Sequence, residues 1–457
     1  MFRDTKNIHF VGIGGIGMSG IAEVLINLGF NVSGSDIKES GIIDKLHKIG
    51  AKVDIGHNIE NIKDVDVIVY SSAVKLDNPE IVEARKLGIP VIGRAEMMGE
   101  MMRLKFSIAI AGTHGKTTTT SIIASEMLEN ALDPSVIVGG IVRSFGGSAK
   151  LGSGKYFVCE ADESDKSFLK LFPTIAVVTN IDEDHLDNYI GIDDIKKSFV
   201  EYINSIPFYG CSILSIDDRN IQSILPDINK RYITYGFLPQ ADIRAKNIEI
   251  HNFSSKFDVA YKNFEIKEIQ LNIPGEFNIK NALAAIAVGI EIGIPDNIIK
   301  QSIEKFHGVH RRFEYKGEVK GCKLYDDYAH HPTEIESTLK AARDAWEGRI
   351  IAIFQPHLFS RTMMLREKFG GAFYNADIVI ITDIYPAREK PIEGVTGKTI
   401  ADSCIEHRQK HVIYEENKDN IPTILANILK EGDMIITMGA GDIYKIGEKY
   451  IDDYRKH

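Results

Sequence analysis

The chain has 457 residues with 44% apolar and 26% charged side chains, a mix that excludes a disordered, collagen-like or coiled-coil protein. No run approaches the ~18 uninterrupted apolar residues that a membrane span requires. The formal net charge of −10 argues against nonspecific binding to a nucleic-acid backbone.

At ~150 residues per domain the length predicts about three domains. Met1–Phe10 carries Arg3, Asp4, Lys6 and His9 and no apolar stretch, so no signal peptide is expected. Ile8–Gly12 predicts a strand and Ile16–Leu28 a helix. Val65–Tyr70 and Ser107–Ala111 predict strands, Thr117–Glu129 a helix and Ile175–Thr179 a strand. Alternation at Ile243, Ala245, Ile248 and Ile250 predicts an antiparallel or edge β region within Ala241–Ile273. An Ala-rich helix is expected from about Asn278 to Glu291, and Gly308–Arg312 as a hinge. Ile350–Phe354, Ile378–Thr382 and Met434–Met438 predict the last strands. Strands alternating with helices place the chain in the α/β class, with parallel sheets covered on both faces. The first unit is expected to finish in the Met-rich stretch Glu96–Arg103, giving domains at 1–104, 105–309 and 310–457. Cys159, Cys211, Cys322 and Cys404 are scattered with no CxxC pair, as in a reduced, cytoplasmic protein.

Gly12, Gly14 and Gly17 follow a strand, open a helix and fit G-x-G-x-x-G. Such glycines permit a tight turn and let a diphosphate approach the backbone at the helix N-terminus. Asp36 follows the second strand at the spacing of a ribose contact. The pattern leaves open a nicotinamide dinucleotide, a nucleotide sugar or a packing turn without ligand.

Gly112-Thr113-His114-Gly115-Lys116-Thr117 is a second, shortened phosphate loop, G-x-x-G-K-T. Loop amides cradle phosphates, Lys116 offsets β/γ charge, and the Thr117 hydroxyl suits Mg²⁺. Two such loops call for two phosphorylated ligands, whereas a nicotinamide dehydrogenase needs one. Two strands end in polar clusters: Glu160, Asp162 and Glu163 as Mg²⁺ candidates, and Thr179 to His185. In the third unit Pro332 suits a first helical turn, with Thr333 or His331 near the cap. Adjacent His330 and His331 lack zinc-site spacing and a Cys partner. His357 and Arg361 suit a carboxylate or phosphate. A glycine turn, Gly439 to Asp442, follows the last strand.

These motifs resemble the Mur ligases over essentially the whole chain. The resemblance rests on Gly12–Gly20, Gly112–Thr117, Glu160–Ser164, Thr179–His185, His310–Phe313, Asp327–Thr333 and Phe354–Thr362. It implies three domains: a Rossmann-like N-terminal domain for a UDP-sugar, a central P-loop-type ATPase domain and a Rossmann-like C-terminal domain for the amino acid. It implies a cytoplasmic ligase of peptidoglycan precursor synthesis, monomer or homodimer, with ATP and Mg²⁺ as cofactors. UDP-N-acetylmuramate and L-alanine would be its substrates, joined through an acyl phosphate. By position, Gly112, Thr113, His114, Gly115, Lys116, Thr117, Thr118 and Asn281 would hold ATP, with Asn281 at the adenine. Thr117, Glu160 and His185 would ligate Mg²⁺. Gly14, Gly15, Ile16, Gly17, Asp36, Ser71 and Ser72 would hold the sugar nucleotide. Arg311, Tyr328, His357 and Arg361 would serve substrate binding, and Lys116, His185, His330 and Arg361 catalysis. Two positions depart from the family pattern. Phe277 stands where histidine is common, with a ring able to stack on adenine, and Leu358 where arginine is common.

Overall fold

The computed structural model describes residues 5–71, 73–103, 105–142, 146–184, 188–387 and 389–455. Two compact units emerge. One is built on residues up to 246 with 258–269 and 280–305, the other on 247–257, 270–279 and 306 onwards.

The first unit begins with a parallel sheet. Its strands are β1 (Asn7–Val11), β2 (Asn31–Asp36), β3 (Lys52–Ile55), β4 (Val67–Tyr70) and β5 (Val91–Gly93), in the order β3-β2-β1-β4-β5. Ile8, Phe10 and Val11 are fully buried, because β1 is covered on both faces. The order reverses beside β1, so the crevice at the ends of β1 and β4 is where such a sheet takes ligands. Helix α1 (Ile16–Asn27) follows the first glycine turn and buries Ile21, Ala22, Val24 and Leu25. Three further helices cover the sheet: α2 (Gly41–Lys48), α3 (Pro79–Lys86) and α4 (Arg94–Met102). The strand expected from Val65 starts only at Val67. The Asp66 carboxylate instead accepts the Lys6 and Asn7 amides at 2.7 and 2.8 Å and pins the start of β1.

A second sheet follows, with β6 (Phe106–Ala111), β7 (Ser135–Val142), β8 (Gly147–Lys150), β9 (Tyr156–Glu160), β10 (Ile175–Val178), β11 (Cys211–Ser215), β12 (Tyr232–Gly236), β13 (Ile243–His251), β14 (Ser254–Tyr261) and β15 (Phe264–Leu271). Its order is β15-β14-β13-β12-β11-β10-β6-β9-β7-β8. The central β6 lies parallel between β10 and β9, and helix α5 (Lys116–Glu129) leaves its end. The β region expected within Ala241–Ile273 is the run β13 to β15. The pair β7 and β8 is antiparallel and escaped the sequence reading, because its glycines blur the apolar pattern.

In the second unit β16 (Glu314–Val319), β17 (Cys322–Asp327), β18 (Ile350–Phe354), β19 (Ile378–Ile381), β20 (Val412–Tyr414) and β21 (Met434–Met438) form a sheet of order β16-β17-β21-β18-β19-β20. Only the β16–β17 pairing is antiparallel among those described. The expected hinge Gly308–Arg312 lies inside this unit. Arg311 ties it down through Asp326 at 2.9 Å and the Gly439 and Gly441 carbonyls at 2.6 and 3.2 Å.

Candidate active site

The first glycine turn is shaped by its neighbours. Gly12 adopts φ +81°, open to glycine at little cost. The Gly12 and Ile13 amides donate to the Ser35 carbonyl at 2.8 and 3.1 Å. Asp36, expected at a ribose, braces the turn by accepting the Gly14 amide at 2.8 Å. Gly15 is the N-cap of α1 and no side chain caps it, leaving a first helical turn suited to an anion. Ser71 follows β4, donates its amide to the Val11 carbonyl at 3.1 Å and packs beside Gly12. Ser72 lies outside the described residues.

Beneath this turn sits a buried polar network that the sequence did not announce. The fully buried Glu80 accepts the Ser35 hydroxyl at 2.6 Å, the Asn61 amide group at 2.6 Å and the Asn58 backbone amide at 3.1 Å. The His9 and His57 rings face the same carboxylate at 3.7 and 3.4 Å. Burial alone would raise the Glu80 carboxyl, but His9, Ser35 and Asn61 outweigh it and hold the group at about 2.

The second loop is clasped from the end of β10. Gly112 and Gly115 take φ +131° and +83°. A Cβ on Gly112 would lie 2.1 Å from the Thr179 hydroxyl, and one on Gly115 2.5 Å from the Asn281 carboxamide oxygen. Thr179 and Asn180 donate to the His114 carbonyl at 2.6 and 2.9 Å, and Asn180 accepts the His114 amide at 2.9 Å. The His114 ring meets Asp182 at 3.2 Å, and the Thr113 hydroxyl accepts the Asp182 amide at 2.9 Å. Thr118 is buried behind the loop. Asn281, expected at adenine, is buried against the loop and accepts the Thr119 hydroxyl at 3.3 Å.

Lys116 donates to the Gly112 carbonyl at 2.6 Å and to both Glu163 oxygens at 2.9 and 2.8 Å. Burial alone would lower the Lys116 ammonium, but Glu163, Asp162 and Glu160 outweigh it and hold the group above its ordinary value. Asp162 pairs with Arg94 at 3.2 Å. Burial would raise its carboxyl, but Lys116 and Arg94 hold it at about 2. Two of the three acids read as metal candidates are therefore partners of cations. Glu160 is placed differently: it ends β9, and one of its oxygens accepts the Gly139 amide at 2.9 Å. The Thr117 hydroxyl has no hydrogen-bond partner among the described residues. A hydroxyl at the end of the phosphate loop and a carboxylate at the end of β9 are oxygen donors of the kind that fits Mg²⁺. His185 lies outside the described residues.

In the second unit the ends of β17 and β18 converge. The Tyr328 and His330 rings lie 5.4 Å apart, His330 and His357 5.9 Å, and His357 stacks on Tyr385 at 5.9 Å. Arg361 is buried on the helix Phe359–Met364, with a guanidinium nitrogen 3.4 Å from His357 Nδ1. The adjacent Leu358 carries φ +71°, a strained value for a leucine beside such a cluster. His331 caps the helix Pro332–Ala345. Arg311 does not join the cluster as a free cation. Its donors go to Asp326, Gly439 and Gly441, and its plane lies against Tyr328 and Tyr444. Gln355 fastens the Gly439–Asp442 turn by accepting the Asp442 and Ile443 amides at 3.0 and 3.2 Å. Phe277, considered for adenine stacking, packs against the core of this unit.

Three family models match consecutive stretches: the Mur ligase family, catalytic domain, over residues 7–106, the Mur ligase middle domain over 110–289, and the Mur ligase, glutamate ligase domain, over 311–441. The chain belongs to the Mur ligase family. It is 53% identical over 453 residues to a UDP-N-acetylmuramate–L-alanine ligase of Pelobacter propionicus, covering 99% of this chain and 98% of that one. A ligase of the same name from Geotalea daltonii is 51% identical over 456 residues, covering 100% of both. The crystal structure of the UDP-N-acetylmuramate–alanine ligase of Thermotoga maritima matches with a TM-score of 0.82 at 30% identity, over 98% of this chain and 99% of that one. This Mur ligase carries the family's α/β fold through all three matched regions. Arg94 and Glu80, beside the loops of the first unit, and Tyr385, in the ring cluster of the second, carry no sequence signal, since each acts through a partner distant along the chain.

Proposed function

We propose that this Mur ligase joins L-alanine to the lactyl carboxylate of UDP-N-acetylmuramate at the expense of ATP, as a step of peptidoglycan precursor synthesis in the cytoplasm. The carrying observation is the full-length 53% identity to a ligase of that name. The two anion-cradling loops in one unit agree with a sugar nucleotide and a triphosphate. Residues 1–104 serve the sugar nucleotide, 105–309 ATP and 310–457 alanine.

A carboxylate is a poor electrophile, and oxide a poor leaving group. One lactyl oxygen therefore bonds to the γ-phosphorus as the bond to ADP breaks, giving an acyl phosphate. Two anions must approach, and Lys116 offsets their repulsion at the loop. Gly14, Gly15, Ile16 and Gly17 present the turn that takes the diphosphate. The alanine amine then attacks the acyl carbon, a tetrahedral intermediate forms, phosphate leaves and the nitrogen loses a proton. His330 sits near the reacting groups, while His357 and Arg361 hold the alanine carboxylate. Thr117 and Glu160, with His185, would hold Mg²⁺, which offsets phosphate charge when bound.

The test mixes protein, MgATP, UDP-N-acetylmuramate and L-alanine, measures ADP, and omits each component in turn. ADP release requiring both the sugar nucleotide and alanine supports the reading. Release indifferent to the sugar nucleotide overturns it.

A further inference from the structure

Arg94 opens α4, and its guanidinium lies between the two loops of the first unit. On one side it donates to Asp162 at 3.2 Å. On the other it covers Gly17, where a Cβ would stand 2.6 Å from one terminal nitrogen and 3.4 Å from Cδ. Gly17 has an ordinary helical backbone within α1, so its lack of a side chain answers to the arginine and not to a special φ. The Arg94 side chain is three-quarters buried, at 25% exposure. Asp162 is its only hydrogen-bond partner among the described residues, and the nitrogen facing the turn has no acceptor among them. A planar cation held by one carboxylate, with remaining N–H groups aimed along an anion-binding turn, suits a second oxyanion. Asp162 is followed by Glu163, the partner of Lys116. The arginine thus stands one carboxylate away from the phosphate loop.

Resting on the proposed activity, we infer that Arg94 is a substrate-binding residue: its guanidinium takes an oxyanion of the sugar nucleotide at the first glycine turn while holding Asp162. Sugar occupancy is thereby tied to the acids that surround Lys116. The oxyanion is either the diphosphate or the lactyl carboxylate. UDP-N-acetylglucosamine, which has the first and lacks the second, separates them.

The experiment measures equilibrium binding of UDP-N-acetylmuramate, UDP-N-acetylglucosamine and ADP to the full chain and to Arg94→Ala and Arg94→Lys. Loss of a charge-assisted bond predicts about ten- to a hundred-fold weaker binding of UDP-N-acetylmuramate to Arg94→Ala. Arg94→Lys should recover part of the loss, and ADP affinity should change less than about two-fold, which also reports an intact fold. An equal loss for both sugars assigns the diphosphate, and a loss confined to the muramate assigns the lactyl carboxylate. Wild-type protein that binds the muramate, with Arg94→Ala binding it equally well, overturns the inference alone and leaves a structural ion pair. Wild-type protein that binds neither UDP-sugar overturns the proposed function and the inference together.

Discussion

Lys116 Nζ contacts both carboxylate oxygens of Glu163, at 2.9 and 2.8 Å, so the phosphate-loop lysine is held by a carboxylate from the end of the neighbouring strand. Glu163 is almost fully buried. Removing one member of a buried pair leaves the other without compensation, which costs about 3 kcal/mol. Glu163→Gln should lose about that much unfolding free energy in urea. Polyphosphate oxygens can replace the missing carboxylate at Lys116, so ADP should raise the melting temperature of Glu163→Gln more than that of the wild type. Equal shifts would contradict this pairing.

Lys116→Ala removes the cation proposed to offset charge during phosphoryl transfer. Turnover should fall on the order of 10²–10³-fold. Steady-state kinetics checks this, with circular dichroism confirming the fold. Wild-type turnover would refute the role.

Glu80 gives stability a dependence on acid. Its folded value of about 2 lies below the ordinary 4.5. Its contribution is therefore fully present above about pH 4.5 and is lost as pH falls toward 2, in total about 3 kcal/mol. Unfolding of Glu80→Gln should lack that slope across the window. The variant should also weaken UDP-sugar binding, because Ser35 carries both the Glu80 contact and the carbonyl that receives Gly12 and Ile13.

The element pattern was largely legible: strand, glycine turn and helix at Gly12 and again at Gly112 follow from local apolar runs and backbone freedom. The Asp162–Glu163 acids show where reading stops. In sequence they are a run of carboxylates, equally suited to metal or solvent. Only folding brings Arg94 and Lys116 against them. Glu80 follows Asn78 and Pro79, and that local pattern marks a helix start while hiding the network with His9, Ser35 and Asn61. Arg311 is assigned to substrate binding by resemblance alone, and nothing local in the sequence shows that two carbonyls and Asp326 engage it.

Asp327 titrates in a separate window. It is buried and accepts the Phe313 and Ala329 amides at 2.8 and 2.7 Å. Burial pushes its carboxyl up to about 6, partly offset by Arg312. A raised acid keeps its proton in the folded chain after the unfolded chain has released it. Stability should therefore fall by about 3 kcal/mol as pH rises from about 4 to 6. Asp327→Asn should flatten that slope and cost about 2 kcal/mol at neutral pH, because an NH₂ group would face one of the two amides. Chemical denaturation across pH checks both.

Arg361→Lys keeps a charge but loses the planar fork next to His357. The KM for L-alanine should rise about ten-fold or more, with the KM for ATP little changed. Equal KM values for alanine in variant and wild type would remove Arg361 from the alanine side.

The central claim is transfer of the γ-phosphoryl group to the sugar's lactyl carboxylate before the amine attacks. UDP-N-acetylmuramate labelled with ¹⁸O in that carboxylate tests it directly, by mass spectrometry of the released phosphate. The account predicts one labelled oxygen in each phosphate formed. Phosphate carrying no label would contradict it.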